Sequence, residues 1–352
     1  MSGRMLESGS SDEKKMVLHG PGLRLCLLAL LPALLFVPSK HAWAETSTEE
    51  MACEPHADLA AQLKRLPAEL RLFDSRLRIV NIYKRQAEIM LDADIDDAEA
   101  VRRWLAEIYP AHRDFWAGYV GDEQAFTEFS QDLMRYRKRL LCKHIPKLLA
   151  LDLDERFERH ARWLEQATGK APVGTWYLAY GSGATDMGGI GSIGMVIDFS
   201  NQVAEPASIE ALLPHELAHQ VHGLRRDPDS DTVLGRMLAE GLATYVACVR
   251  AEGRFSAAEC IGYDDAQWRW AIEHEAALRA FVKPILHSRA RADSDAVASR
   301  NIVPIEGGPT AIGYFLGHRI VQAYTERHGH DAWKDLLDMP VKRVLRKSGY
   351  SL

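Results

Sequence analysis

Two histidines and a glutamate in the segment LLPHELAHQVHGLRR (residues 212–226) have the types and spacing of a zinc centre. His215 and His219 are four residues apart, and positions four apart lie on one face of a helix. Their imidazole nitrogens can therefore bind one ion at about 2.0–2.1 Å. Glu216 is next along the helix surface, close enough to contact a water on the metal but not to be a ligand. This arrangement predicts zinc-dependent hydrolysis with Glu216 as general base. A helix that is merely rich in exposed histidines is the alternative.

A candidate for the third ligand lies on the next predicted helix, in the segment Glu240-Gly241-Leu242-Ala243. The intervening turn, RDPDSD, is short, so the two helices are expected to pack antiparallel and to bring Glu240 towards the histidines. The small residues Gly241 and Ala243 would let the two backbones come close. A buried carboxylate on an otherwise apolar helix needs a partner, because its burial alone is costly. One zinc ion would be that partner.

The sequence around these residues resembles the gluzincin group of zinc metallopeptidases, in which H-E-x-x-H is followed by a glutamate ligand on the next helix. In particular, it is similar to a family described only as predicted zinc-dependent proteases, with H-E-L-x-H and a downstream E-G-L-A. The resemblance is specific over residues 212–247 and weaker over GYFLGHRIV (313–321). It implies a zinc peptidase with the ligands His215, His219 and Glu240 and the general base Glu216.

The tetrahedral intermediate of such a reaction needs a hydrogen-bond donor on the side away from the general base. Tyr314 and His318 are the candidates, since they lie four residues apart on a predicted helix and share a face. The family resemblance favours Tyr314. A purely structural role for Tyr314, as an aromatic residue of the core, is the alternative.

Three departures from related families narrow the class of peptidase. Metzincins need a glycine and a third histidine where this chain has His222 and Arg225, so that class is excluded. Thr244 stands four residues after Glu240, where several gluzincins have an acid, and the group that orients a ligand histidine is left open. The G-x-M-x-N segment with which related aminopeptidases anchor a free amino terminus is absent, and GMVID (194–198) is the nearest match. An endopeptidase is therefore expected rather than an aminopeptidase.

Other histidines and glycines allow competing interpretations. His222, three residues after His219, is either a fourth ligand of a structural or inhibited site or a residue near the helix end, where the dipole favours a cation. The half-motif His274-Glu275 is expected on the surface. The G-x-G-x-x-G pattern at residues 189–194 lacks the following helix that a dinucleotide site requires, so it predicts a hairpin or a loop lining the cleft.

The apolar periodicity predicts an α+β, mostly α fold with a zincin-like core. Residues 45–170 are expected to be a helical amino-terminal region, and residues 171–352 a catalytic region with a helical carboxy-terminal part. TWYLAYG (175–181) and GMVIDFS (194–200) predict strands of a small mixed sheet, and strand 194–200 is expected to line the cleft and to pair with an extended peptide. A loop is expected between residues 284 and 310. After the zinc-binding helix and the glutamate-bearing helix, further helices are expected at 265–282, 311–328 and 331–338.

The first 44 residues have the pattern of a signal peptide. Arg24 precedes a run of 13 mainly apolar residues from Leu25 to Val37, and Ala42-Trp43-Ala44 is a cleavage signal. The run is shorter than the roughly 20 residues that span a bilayer. Cleavage and export, to the periplasm or beyond, are therefore expected, without a stable membrane span. An uncleaved membrane anchor is the alternative.

The four cysteines after residue 44 form an even set, as is usual in an oxidising compartment. Of three possible pairings we expect Cys248–Cys260 as a short local loop and Cys53–Cys142 within the amino-terminal half. The alternative is that some of the four are buried thiols.

The predicted function is an exported metallopeptidase that holds one zinc ion and acts on peptide or protein substrates. Nucleic acid is not expected as a partner, because the net charge is −6 and the two signs are well mixed. The rival hypothesis is a non-catalytic exported module whose zinc is structural; four protein ligands would favour it, whereas three ligands and a water favour catalysis. Zinc-dependent hydrolysis of a non-peptide amide is a third possibility. The sequence does not define the oligomeric state.

Overall fold

The computed structural model describes residues 54–55, 57–185, 187–200, 206–223 and 227–352. The predicted signal peptide, 1–44, lies outside these ranges, and so does the expected Cys53–Cys142 pair, because Cys53 does. No helix in the described ranges is both long and apolar enough to cross a membrane. The fold is mostly helical with one small mixed sheet, as the sequence predicts.

The amino-terminal half consists mainly of short helices, several of which are joined through single π-helical turns. The α-helices are α1 (Leu59–Arg65), α2 (Ile82–Leu91), α3 (Asp97–Arg103), α4 (Tyr109–Ala111), α5 (Arg113–Tyr119), α6 (Glu123–Met134), α7 (Arg137–Arg139), α8 (Ile145–Ala150) and α9 (Leu153–Thr168), with π-helical turns at Trp104–Ile108 and Leu140–His144.

The carboxy-terminal half contains the longer helices, which include the predicted zinc-binding pair. These are α10 (Pro206–Val221), α11 (Val233–Ala251), α12 (Ala257–Ile261), α13 (Asp265–Glu273), α14 (Glu275–Val282), α15 (Arg291–Ala298), α16 (Ile312–His328) and α17 (Val341–Ser348), with 3₁₀ segments at Lys283–Ile285 and His330–Leu337.

A five-stranded mixed sheet lies beside the helices, in the order β1-β2-β3-β5-β4. The strands are β1 (Glu69–Leu72), β2 (Leu77–Asn81), β3 (Gly174–Ala179), β4 (Met187–Ile190) and β5 (Gly194–Asp198). Strands β2, β3 and β5 are parallel, whereas β1 and β4 run antiparallel at the two edges. The glycine-rich segment forms the predicted hairpin, since β4 pairs with β5 directly.

Two expectations about the sheet are wrong. Strands β1 and β2 lie within the segment 45–170 that the sequence predicts to be a helical region, and they join the sheet by pairing β2 with β3. Strand β5 is bonded on both sides, to β3 and to β4, so it has no free edge for a substrate peptide. The edge on this side of the sheet is β4, which packs against α10.

The buried carboxylate of Asp198, at the end of β5, fixes the loop that leads into β4. It accepts hydrogen bonds from the backbone N–H groups of Gly181 and Gly183, at 2.9 and 2.7 Å, and from the Tyr119 hydroxyl at 2.7 Å. It also accepts one from the N–H of Ser200. The loop that contains Gly181 and Gly183 is therefore held by a single side chain from the sheet.

Helix α11 lies between α10 and α16 and is apolar almost all round, which is the pattern of a buried helix. The Thr232 hydroxyl caps its amino terminus by accepting the N–H of Gly235 at 3.1 Å. Gly241 packs on Gly317 of α16: a Cβ atom on either glycine would overlap backbone of the facing helix. The expectation that Gly241 brings α11 close to α10 is therefore wrong, since Gly241 serves the α11–α16 crossing.

The expected Cys248–Cys260 disulfide is confirmed, and it ties the end of α11 to α12. The helices predicted at 265–282 and 311–328 are present, the first as α13 and α14 with a break at His274. The expected loop at 284–310 is wrong in part, because α15 lies inside it.

Candidate metal centre

Helix α10 places His215 and His219 on one face, one turn apart. The core face of the same helix carries Leu213, Leu217 and Val221, all buried. The two imidazole rings lie 4.9 Å apart at 79° to each other, and their Nε2 atoms are 3.2 Å apart. The spacing of the motif thus converges two ring nitrogens on one point.

Helix α11 brings the Glu240 carboxylate to that same point. Its Oε2 atom lies 3.2 Å from Nε2 of His215 and 3.4 Å from Nε2 of His219. Glu240 is almost fully buried, with 3 % of its surface exposed. The antiparallel packing expected from the short turn therefore brings the third candidate ligand, the Glu240 carboxylate, to the histidines.

These three atoms form a triangle whose edges measure 3.2, 3.2 and 3.4 Å. Tetrahedral zinc with nitrogen and oxygen ligands at about 2.0–2.2 Å requires ligand atoms that are about 3.3–3.6 Å apart. The donor set and its spacing therefore fit one zinc ion.

Glu216 is half-buried and lies on the same side of α10. One of its carboxylate oxygens, with one nitrogen each of His215 and His219, forms a group whose atoms all lie within 4.8 Å of one another. The position suits a base separated from the metal by one water, and a carboxylate there could also be a further protein ligand. Of the two glutamates, Glu240 is favoured as the third ligand, because its oxygen lies 3.2 and 3.4 Å from the two ring nitrogens and its side chain is more deeply buried.

The arginine of the first turn of α11 compensates the buried carboxylate. Nη2 of Arg236 lies 3.1 Å from Oε1 of Glu240, the oxygen that does not face the histidines. Burial alone would raise the pKa of Glu240, but the charges of Arg236 and His219 outweigh it and hold that pKa well below its ordinary value. Glu240 is therefore an anion throughout the neutral range.

The pKa values of the two histidines are shifted in opposite directions. Burial lowers the pKa of His215 to about 4, so its ring is neutral at physiological pH and has a lone pair for a metal. The pKa of His219 is raised, because the Glu240 carboxylate outweighs the effect of burial. The Thr244 hydroxyl lies 3.5 Å from Nδ1 of His215, so this threonine occupies the orienting position that the sequence leaves open.

Tyr314, near the start of α16, is the aromatic residue that reaches the centre. Its ring stacks on that of His215, with centroids 5.9 Å apart and an interplanar angle of 11°. Burial raises the pKa of its hydroxyl, which therefore remains an O–H donor at neutral pH. His318, one turn further on, packs against Tyr245 instead, at 5.6 Å.

The two other histidines considered from the sequence, His222 and His274, differ in burial. Burial lowers the pKa of His222 to about 3, and the backbone of Leu336 only partly opposes this effect. His274 is exposed and stacks on Trp270 at 4.2 Å, so the expected surface position is confirmed.

Two arginines belong to this centre although the sequence analysis does not select them. Arg236 lies one turn before Glu240 on the same helix, a spacing that could have revealed it. Arg300 lies in the segment between α15 and α16, and its guanidinium carbon is 5.0 Å from the centre of the Tyr314 ring. No local pattern points to Arg300, because only the tertiary fold brings it near.

Comparison with known proteins agrees with the chemistry of these residues. Residues 179–346 match the family described as Predicted Zn-dependent protease (DUF2268), and this range contains the whole centre. The resemblance inferred from H-E-L-x-H and E-G-L-A is thus confirmed over just under half of the chain. Neither a curated protein nor a solved structure matches the chain significantly.

Proposed function

We propose that the protein is an exported zinc metallopeptidase that cleaves internal peptide bonds. The observation that carries the proposal is the triangle of His215, His219 and Glu240, whose edges of 3.2, 3.2 and 3.4 Å suit one zinc ion. These three residues would hold the ion, and zinc bound there would supply an activated water and a Lewis acid for the carbonyl. The family match, which names a Zn-dependent protease, supports the same chemistry.

Glu216 is the proposed general base. Its carboxylate accepts a proton from the water as the water oxygen attacks the carbonyl carbon of the peptide bond. It then passes that proton to the leaving amine as the carbon–nitrogen bond breaks. Its half-buried position beside the two ligand histidines supports this role.

Tyr314 is the proposed donor to the oxyanion that develops on the substrate carbonyl. Its ring lies against His215, and burial keeps its hydroxyl protonated. A positioned donor of this kind stabilises the transition state more than the ground state.

The substrate is proposed to bind as an extended chain along β4, the edge strand that packs on α10. An edge strand offers unpaired backbone groups to a peptide along its length, and such binding suits an endopeptidase. Export to the periplasm or beyond is supported by the signal-like segment and by the Cys248–Cys260 disulfide.

One observation favours a second candidate, a structural zinc. The Glu216 oxygen is close enough to the imidazole nitrogens to complete a closed site of four protein ligands. Such a site leaves no position for water and would hold α10 and α11 together without catalysis.

The decisive experiment compares Glu216→Gln with Glu240→Gln in zinc content and in hydrolysis of an unfolded protein substrate. If Glu216 is the base, Glu216→Gln keeps the zinc and loses on the order of 10²–10⁴ in rate. Glu240→Gln is expected to lose zinc, and stability with it. Chelation of the wild-type protein should abolish hydrolysis, and added zinc should restore it.

The structural alternative predicts the opposite result. Glu216→Gln would then lose zinc as Glu240→Gln does, and the wild-type protein would not hydrolyse the substrate. Full zinc in Glu240→Gln would remove Glu240 from the ligand set, with Glu216 the next residue to test.

A further inference from the structure

Arg300 brings an exposed positive charge to the wall of the metal centre. Its guanidinium carbon lies 5.0 Å from the centre of the Tyr314 ring, within the range of a cation–π contact. Tyr314 in turn stacks on the ring of His215. The guanidinium is therefore separated from the imidazole of His215 by one aromatic ring.

The guanidinium is fixed in place by its surroundings. Its Nη2 donates a hydrogen bond to the carbonyl of Ile261, at 3.1 Å. Its Nη1 lies over Gly262, where a Cβ atom would be only 3.0 Å away, so glycine makes room for it. Ile261 follows Cys260, whose disulfide ties this anchor to α11. A cation held in this way loses little freedom when it binds a ligand.

Among the residues that the structure describes, no carboxylate lies within ion-pairing distance of the Arg300 guanidinium. Arg236, the other arginine of the centre, is compensated by Glu240 at 3.1 Å. Arg300 forms no ion pair with any carboxylate in the described ranges, where ion pairs of other arginines are frequent. The Ile261 carbonyl takes one of the five N–H groups of the guanidinium, and the others are free to bind a planar anion.

We propose that Arg300 is a specificity-determining residue that binds a carboxylate of the peptide substrate. The proposal rests on the peptidase function proposed above and adds the substrate class, which is peptides with a carboxylate near the scissile bond. That carboxylate belongs either to an aspartate or glutamate side chain or to the carboxyl terminus of the peptide. The guanidinium matches both in the same geometry.

The test uses short fluorogenic alanine-based peptides with one glutamate at successive positions, each with a glutamine twin. A second set compares free with amidated carboxyl termini. We expect the wild-type protein to cleave one carboxylate peptide about tenfold or more faster, in kcat/KM, than its neutral twin. The set in which this ratio is found identifies the source of the carboxylate.

Variants of Arg300 assign the ratio to this residue. Arg300→Gln should bring the ratio of the two kcat/KM values close to one, and Arg300→Lys should keep part of the ratio. Arg300→Glu should reverse the preference, so that lysine peptides are favoured. The matched control is Arg289→Gln, an exposed arginine paired with Asp231 at 3.2 Å, which should leave the ratio as in the wild type.

A wild-type protein without any carboxylate preference would overturn the proposal, and so would an unchanged ratio in Arg300→Gln. If the proposed peptidase function is wrong, the result is different, because then the wild-type protein cleaves no peptide. In that case, binding of the same peptide pairs, measured by fluorescence anisotropy, decides the role of Arg300. Equal binding of the acidic and neutral twins would overturn it.

Discussion

At the scale of single residues, the two oxygens of Glu240 have separate partners. Oε2 faces His215 and His219, whereas Oε1 faces Arg236. A carboxylate held in this way presents one defined oxygen to a metal and does not rotate to exchange that oxygen for the other. Loss of a group that orients a ligand commonly weakens metal binding about 10- to 100-fold. We therefore propose that Arg236 is a positioning residue that acts through Glu240.

We expect Arg236→Gln to weaken zinc binding about 10- to 100-fold, because one oxygen of Glu240 loses its partner. Arg236→Lys should recover part of the loss, since it keeps the charge but not the fork of donors. The measurement is zinc affinity by competition with a chromogenic chelator. Arg289→Gln, on the exposed surface, serves as the control. Equal zinc affinity in Arg236→Gln and the wild type would show that Glu240 needs no such support.

The sequence predicts which side chains come together, since the proposed ligands and the proposed base meet on two adjacent helices. Helical periodicity is local and can be read from a few residues. The residues that surround the centre are far apart in the sequence. Thr244 of α11 contacts His215 of α10, and Arg300 belongs to the segment between α15 and α16. Such contacts depend on tertiary packing, which a single sequence does not display.

At the scale of elements, the position of Glu240 depends on the crossing of α11 and α16. The two helices approach so closely at Gly241 and Gly317 that no side chain fits between them. Glu240 precedes this contact by one residue, and Tyr314 precedes Gly317 by three. The close approach thus sets the distance between the glutamate-bearing helix and the helix that carries Tyr314.

Gly241→Ala should destabilise the protein by roughly 1–3 kcal/mol, because its methyl group overlaps backbone of α16 and forces the helices apart. Urea unfolding followed by circular dichroism measures the change. The control is Gly188→Ala in β4, where a Cβ atom meets its nearest neighbour, Thr185 Oγ1, at 3.5 Å, an ordinary contact distance. Equal stabilities of the two variants would mean that α11 and α16 separate without cost.

The elements that the sequence misses are those whose hydrogen bonds come from far along the chain. Strand β2 follows the short strand β1 and pairs with β3, almost a hundred residues later. Its five residues are too few to show a period of their own. Helix α15 is missed for another reason, since RADSDAVA is polar and buries only Val297 fully. Local pattern is weak in both cases, and the tertiary contact decides.

At the scale of the whole molecule, one sheet joins the amino-terminal region to the region that matches the protease family. Pairing of β2 with β3 continues into β5 and the edge strand β4, beside α10. The amino-terminal strands therefore support the sheet on which the proposed substrate strand lies. The boundary between the two regions, predicted near residue 170, marks a change of sequence pattern. The sheet nevertheless contains strands from both sides of it.

The Cys248–Cys260 disulfide should stabilise the whole molecule, because it closes a short loop between α11 and α12. Cross-linking of a loop of this length restricts the unfolded chain and typically contributes about 3 kcal/mol. Replacing both cysteines by serine should therefore lower the free energy of unfolding by about that amount, as measured in urea. Both must change, because a single replacement leaves a reactive thiol. Zinc content should remain as in the wild type, since Cys248 lies two turns beyond Glu240 on α11. An unchanged unfolding free energy would show that α12 stays docked without the bond, and the anchor of Arg300 would then rest on packing alone.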